Sequence, residues 1–534
     1  MAPRKAKRGA KRASRQRGAG EKQAKDRSWD VQTEGATGLL PDGLLLEVLA
    51  YLDESELLLA RAVCRRWRAL AMSPAAWAER GLNVGLGPEG CRLASPGLVR
   101  AVLRQAPCLG RLYIGEGHWP LVQHEPMRLA VSDSVGLQLD EGTARRGADI
   151  LRRQVELGAR PKNIEVAICM PFCVWDLRRM LEAINDCQPE TLTFVANFES
   201  DYGLRLPHKE PLKTGARPSL KKLTFLRDFQ YHGQQGPLAT WPHPTLRFLI
   251  ASHAATLEDV RLYVDNASRF EVPRMPSSLL MGCVRLRMLC CSALADMPAL
   301  LMHCPALEEL ALDAQDTDAG RTTRFFREAS QLRRLAVRGH ARWDVAPHTE
   351  DTLAFLEALA STGRSRLTSL SFSVPDAPPP AFWGRLVGVI GRLKHLEDVD
   401  TDPVPPPRRV RVQRGPPPAV FLRALAAPAM RTLQLDCVLP CGAACTALFL
   451  EELRRLMAAN AELHVAGLAA RCVCGPPSAA PLSMAACPWW RRRAPPSLCA
   501  VATLEFFNVY GHAQGDCKWH NTGPGPWIRV VQWD

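Results

Sequence analysis

The chain has 534 residues, of which 47% are hydrophobic and 23% charged, so it is long enough for several domains and most of it should fold. The formal net charge of +14 is concentrated near the start, where residues 1–27 carry eleven Lys and Arg against Glu21 and Asp26. The sequence has no apolar run long enough to cross a membrane and no apolar signal core, so neither a membrane-spanning nor a secreted protein is expected. The 18 Cys are scattered, several within apolar runs, and are interpreted as small core residues.

Residues 1–36 form a basic segment with almost no large apolar side chains, which predicts a disordered tail. Its basic clusters are typical of a nuclear-import signal or of a nucleic-acid-binding tail, and a solvated tail without a partner is the alternative. The candidate import residues are Arg4, Lys5, Lys7, Arg8, Lys11 and Arg12. The nucleus, the cytoplasm or both are therefore the expected compartments.

Residues 39–81 have the pattern of three or four short helices. In the first, Leu45, Val48 and Leu49 recur at a spacing that puts them on one helix face. Asp53 followed by Glu56 predicts a capping box for the second helix. Several leucines are left over after this core is assigned. Surplus apolar surface on so small a unit marks either a partner interface or packing against the next domain.

Several motifs of this segment, in their order and spacing, resemble an F-box. They are Leu40-Pro41-Asp42 with Leu44-Leu45-Leu46, the helix end Tyr51-Leu52, Val63-Cys64-Arg65-Arg66-Trp67-Arg68 with Leu70, and Trp77. Gly43 departs from the family, which usually has an acidic or polar residue there, and it costs about 0.5–1 kcal/mol relative to Ala.

F-box segments bind the small Skp-family adaptor of cullin–RING ubiquitin ligases, and the resemblance implies the same partner here. The positions that would contact the adaptor, or support that face, are Leu40, Pro41, Leu45, Val48, Leu49, Leu52, Val63, Cys64, Trp67, Leu70 and Trp77.

From about residue 95 a strand pattern of the form L-x-x-L-x-L recurs, separated by amphipathic helical segments. Its clear examples begin at Leu109, Leu220, Leu257, Leu286, Leu307, Leu332, Leu367 and Met430, and weaker ones lie at 164–168, 192–194, 396–399, 463–465 and 504–506. The pattern resembles a divergent leucine-rich-repeat solenoid, with parallel strands inside and helices outside. A conventional parallel α/β sheet is the alternative, which the lack of a Gly-rich phosphate loop disfavours.

The sequence thus predicts an α/β chain with four parts. These are a disordered basic tail at 1–36, an all-α F-box unit at 37–82, an irregular leucine-rich-repeat solenoid at 95–510 and a C-terminal tail at 511–534. The helical segments expected between strands are 174–186, 245–255, 293–303, 322–330, 352–360, 382–392 and 448–459.

Strand side chains alternate, so the residues between the repeat leucines should lie on one exposed face. The candidates for substrate binding there are Arg111, Tyr113, Asp259, Arg261, Tyr263, Arg334 and Arg338. Mixed charge with two tyrosines suits recognition of a protein better than of a nucleic acid, and an ordinary solvated face is the alternative.

The sequence shows no catalytic motif, so a non-catalytic protein without cofactor or metal is expected. Cys472, Cys474 and Cys487 with Cys517 and His520 could assemble a zinc site, although structural thiols are the preferred interpretation. We therefore expect the substrate-recognition subunit of an SCF-type ubiquitin ligase, bound to the Skp-family adaptor, through it to cullin, and to an unidentified protein substrate. A repeat scaffold bound to nucleic acid or chromatin through the tail is the alternative, and a zinc enzyme is a third.

Overall fold

The structure is a computed structural model. It describes residues 40–84, 95–115, 131–140, 143–168, 174–197, 217–228, 244–265, 275–291, 294, 296–313, 319–338, 349–372, 380–401, 419–425, 430–440, 444–460, 463–471, 503–506 and 528–530. The predicted basic tail at 1–36 and the zinc candidates lie outside these residues. The chain divides into two compact units, Met1–Ala76 and Trp77–Asp534.

The described part of the first unit, residues 40–76, contains the helices α1 Asp42–Ala50, α2 Glu54–Ala60 and α3 Arg65–Ala71, and a short α4, Pro74–Trp77, spans the division between the units. The predicted capping box is confirmed, since Asp53 Oδ1 accepts from Glu56 N–H and Asp53 N–H donates to Glu56 Oε2, both at 2.8 Å. Helix α3 packs against both α1 and α2.

The second unit is built on one sheet whose strands follow one another in chain order. The strands described are β1 Gly81–Val84, β2 Cys108–Ile114, β3 Val131–Leu139, β4 Asn163–Ile168, β5 Thr191–Asn197, β6 Lys222–Asp228, β7 Asp259–Asp265, β8 Met288–Cys291, β9 Glu309–Asp313, β10 Arg334–Arg338, β11 Ser369–Phe372, β12 Asp398–Asp400, β13 Thr432–Pro440, β14 His464–Arg471, β15 Thr503–Phe506 and β16 Ile528–Val530. Strands β1 to β14 pair in parallel, and β15 and β16 are antiparallel.

Helices connect most of these strands. They are α5 Pro96–Gln105, α6 Ala144–Glu156, α7 Val174–Cys187, α8 Pro244–His253, α9 Met297–His303, α10 Ala319–Glu328, α11 Thr349–Ser361, α12 Pro380–Ile390, α13 Ala419–Ala424 and α14 Ala444–Ala459, with a 3-10 turn at Ser277–Leu280. None of the helices within the described residues is long and apolar enough to cross a bilayer.

The α/β class and the parallel strand order agree with an α/β repeat solenoid. Every predicted L-x-x-L-x-L segment overlaps a strand, but the sheet begins at Gly81, before the predicted start at residue 95. Strands β1 and β3 were not predicted, because β1 has only Leu82 and Val84 as apolar residues and β3 has Ser132 where the pattern expects leucine. The hairpin strand β16 lies within the predicted C-terminal tail.

The core lies on one face of the sheet. On β6 and β5, Phe225 and Phe194 are fully buried and stack with their ring centroids 5.5 Å apart. Gly147 on α6 faces the same layer, since a Cβ there would stand 2.7 Å from Met180 Cε and 3.0 Å from Leu139 Cδ2. The helices therefore pack on this face and leave the other strand face open to polar residues.

Candidate docking site

Helix α1 has apolar side chains on two adjacent faces, and only one of these faces packs into the core of the unit. Leu45, 2% exposed, and Leu49 point into the core. Leu44, Val48 and Tyr51 stand at i, i+4 and i+7 and form an exposed stripe, with Val48 47% and Tyr51 91% exposed. The spacing alone predicted Val48 on the same buried face as Leu45 and Leu49. In the structure Val48 lies on this outer stripe instead.

The rest of the first unit adds further exposed apolar residues. We call the whole group the apolar set, and its members are Leu40, Leu44, Val48, Tyr51, Leu59 and Val63. Pro41 and Cys64 are exposed beside it, whereas Leu52, Trp67 and Leu70 are half-buried. A unit that has filled its own core and still exposes this much apolar surface is typical of one that docks on a partner.

The predicted adaptor-binding residues therefore fall into a buried group and a group that is at least partly exposed. Leu45, Leu49 and Trp77 are buried, so they belong to cores and cannot form a contact surface without rearrangement. Leu44, Tyr51 and Leu59 are exposed, although the prediction had not included them. The leucines in excess of one helical stripe were the signal that could have found Leu44 and Leu59.

Arg66 on α3 ties the start of α1 in place. Its Nε donates to Asp42 Oδ1 at 2.9 Å, and its Nη2 lies 2.8 Å from the same oxygen. The same Nη2 donates to the backbone carbonyl of Leu40. One guanidinium thus holds both the first residue of α1 and the exposed Leu40 that precedes it.

The second half of the unit is fixed by local contacts. Cys64 begins α3, and its Sγ accepts from the Trp67 N–H at 3.5 Å. Arg68 Nε donates at 3.1 Å to the carbonyl of Arg61, the C-cap residue of α2. These bonds hold the exposed turn between α2 and α3, where Val63 lies.

Most of the predicted substrate-binding residues lie on the open sheet face, but three of their arginines form ion pairs with neighbouring carboxylates. Arg111 pairs with Glu165 at 3.4 Å, and Arg334 pairs with Glu309 at 3.2 Å. Arg261 is bound to Asp259 at 3.0 Å, and this hydrogen bond raises the pKa of Arg261.

Two tyrosines complete this face. Tyr113 donates from its hydroxyl to Gln138 Oε1 at 3.3 Å, and its ring covers Gly136. Tyr263 lies on β7, in register with Leu226 of β6. Arg338 occupies the end of β10 opposite Asp313 in the register, and its side chain lies outside the description.

The structure does not bring these candidates into one cluster. Arg111 on β2 and Arg261 on β7 are five strands apart, about 24 Å at a strand spacing of ~4.8 Å. Lys222 on β6, which the prediction did not include, is exposed and has no ion-pair partner among the described residues. Within those residues no group of three or more His, Cys, Asp or Glu side chains could hold a metal.

Comparison with known families agrees with this geometry. The family model for F-box-like domains matches residues 37–83, the helical unit that exposes the apolar set. The chain therefore contains an F-box-like domain, a class of domain that generally binds Skp-family adaptors and is typically non-catalytic. A search of the curated proteins found no match.

Proposed function

We propose that this protein is the substrate-recognition subunit of an SCF-type ubiquitin ligase and performs no catalysis itself. The observation that carries the proposal is the exposed stripe Leu44, Val48 and Tyr51 on an F-box-like unit whose own core is already filled. Burying such a stripe against an adaptor would recover the hydrophobic free energy that the folded unit leaves unused. The adaptor would then link the chain to cullin.

In this proposal the second unit is a leucine-rich-repeat solenoid that binds the target protein. Its open face carries paired charges, the hydroxyl of Tyr263 and the exposed Lys222. Paired charges interspersed with aromatic and aliphatic side chains favour a protein partner, because a nucleic-acid groove would need an excess of unpaired cations.

The proposal is tested by binding of the full-length chain to a purified Skp-family adaptor. Val48→Arg and Leu44→Arg would put a charge into the docking stripe and should weaken binding at least tenfold, because a desolvated charge opposes burial. Met302→Arg is the matched control, since Met302 is also an exposed apolar residue but lies on α9 of the second unit.

Truncation of two anchors gives a second measure. Leu40→Ala and Trp67→Ala should each cost about 2 kcal/mol of binding free energy if they act as interface anchors. Adaptor binding that is unchanged in Val48→Arg, Leu44→Arg and both alanine variants would contradict the proposed function.

The nucleic-acid alternative makes a different prediction. It requires binding that weakens steeply with salt and disappears when residues 1–36 are deleted. Deletion of the same residues should leave adaptor binding unchanged under the ligase proposal. We further propose that this segment directs the chain to the nucleus, and fusion of residues 1–36 to a fluorescent protein tests that localisation.

A further inference from the structure

The first turn of α1 has few stabilising interactions of its own. Its N-cap is Pro41, which makes no side-chain capping bond, and Gly43 follows inside the first turn. A Cβ at Gly43 would meet nothing within 4 Å, so no packing compensates for the conformational freedom of glycine. The first backbone hydrogen bond of the helix, from Leu45 N–H to the Pro41 carbonyl at 3.1 Å, closes over this weak turn.

Arg66 supplies the missing restraint from another helix. It binds the carboxylate of Asp42 and the carbonyl of Leu40, which lie on either side of Pro41. We propose that Arg66 is a positioning residue for adaptor docking, fixing the segment Leu40–Asp42 so that Leu40 is presented beside the stripe of α1. This inference rests on the proposed function, because it assumes that the apolar set is the docking surface.

The geometry favours a guanidinium over an ammonium. Arg66 approaches Asp42 Oδ1 with both Nε and Nη2, and Nη2 also donates to the Leu40 carbonyl, whereas the ammonium of a lysine carries all of its donors on a single atom. The side chains of Arg66 and Asp42 are 35% and 65% exposed, so the pair should add little to the global stability of the unit. The role of Arg66 is therefore visible in docking and in local order rather than in unfolding.

The experiment compares full-length Arg66→Gln and Arg66→Lys with the wild-type chain in adaptor binding. Both variants should bind about tenfold more weakly, since an ordered docking segment must then be formed at the moment of binding. Arg65→Gln is the matched control, because Arg65 is the exposed neighbour on α3 and its side chain makes no hydrogen bond or ion pair within the described residues. Its affinity should stay within about twofold of wild type, as for surface positions away from such contacts.

Hydrogen–deuterium exchange of the free chains gives a readout that does not depend on the adaptor. The amide of Leu45, which donates to the Pro41 carbonyl, should exchange faster in Arg66→Gln and in Arg66→Lys than in wild type or in Arg65→Gln. The denaturant midpoint of all three variants should match that of wild type, which separates a local effect from general destabilisation.

The outcomes separate the inference from the function on which it rests. If the wild-type chain does not bind the adaptor, the proposed function fails, and the exchange measurement alone decides whether Arg66 orders the segment. If the wild-type chain binds and the Arg66 variants keep its affinity, the positioning role is wrong. Equal losses in Arg65→Gln and Arg66→Gln would also overturn it, because they would show a need for charge rather than for the contact with Asp42 and Leu40.

Discussion

His253 on α8 donates from Nε2 to Oδ1 of Asn185 on α7 at 3.1 Å. Its other ring nitrogen, Nδ1, lies 3.4 Å from the backbone N–H of Ser219, which can only donate. The imidazole is therefore neutral, with its proton on Nε2, and it joins two neighbouring helices to the segment before β6. Burial lowers the pKa of His253 to about 4.

The neutral His253 makes stability depend on pH. The pKa of His253 is about 4 in the folded chain and near 6.5 in the unfolded chain. Between these pH values the unfolded state therefore binds more protons. This contribution is fully present above pH 6.5 and is lost as the pH falls towards 4. The free energy of unfolding should drop by about 1.4 kcal/mol from this group between pH 7.5 and 5.5, measured by urea titration.

Two variants isolate the effect of His253. His253→Gln removes the titrating group, so its stability should change less with pH than that of wild type, although it should be less stable at pH 7.5. His395→Gln replaces an exposed histidine and should keep the wild-type pH profile. Equal pH profiles in wild type and His253→Gln would rule out His253 as the source.

Two helical glycines should respond in opposite directions to the same substitution. Gly384→Ala on α12 should stabilise the chain by about 0.5–1 kcal/mol, because a Cβ there meets nothing within 4 Å and alanine favours the helix. Gly147→Ala on α6 should destabilise it by about 1–3 kcal/mol, because the new methyl would overlap Met180 and Leu139. Thermal unfolding of both variants measures this, and stabilisation by Gly147→Ala would show that the layer can expand.

The periodicity of the sequence predicts the strands well but leaves contacts between distant residues unpredicted. Each L-x-x-L-x-L segment forms a strand because its alternation fits one buried face, whereas β3 has Ser132 in place of the first leucine and was therefore not predicted. On α1, spacing placed Leu45, Val48 and Leu49 on one face, and it could not show that Val48 points outward while its neighbour Leu49 is buried. Arg66 and Asp42 are 24 residues apart, and no local pattern indicates their pairing.

The buried thiols should be chemically inert in the native chain. Burial raises the pKa of Cys187 to about 12, that of Cys283 to about 11 and that of Cys304 to about 12. The thiolate is the reactive form, so these residues should resist iodoacetamide at pH 7.5, whereas the exposed Cys64 should be alkylated. Peptide mapping before and after unfolding in urea measures this, and native labelling of Cys187 would contradict the packing of α7.

Charged residues of alternating sign stand immediately before successive strands. In chain order they are Lys162, Glu190, Lys221, Glu258, Arg287, Glu308 and Arg333. Each carbonyl accepts from the backbone N–H of the next member, as in Glu190 N–H to Lys162 O at 2.9 Å and Lys221 N–H to Glu190 O at 2.8 Å. Equivalent positions of neighbouring repeats are thus brought side by side with opposite charge, and Lys221 Nζ lies 3.0 Å from Glu190 Oε2.

This alternation predicts that reversing one charge lowers the free energy of unfolding more than removing it does. Glu190→Gln removes one half-exposed ion pair and should cost about 0.2–1 kcal/mol of unfolding free energy. Glu190→Lys places a third cation between Lys162 and Lys221, so it should cost more, and the difference should shrink in 1 M NaCl because salt screens exposed charges. Urea titrations of both variants at low and high salt measure this. A difference that persists unchanged at high salt would show that packing of the longer side chain, and not repulsion along this edge, is responsible.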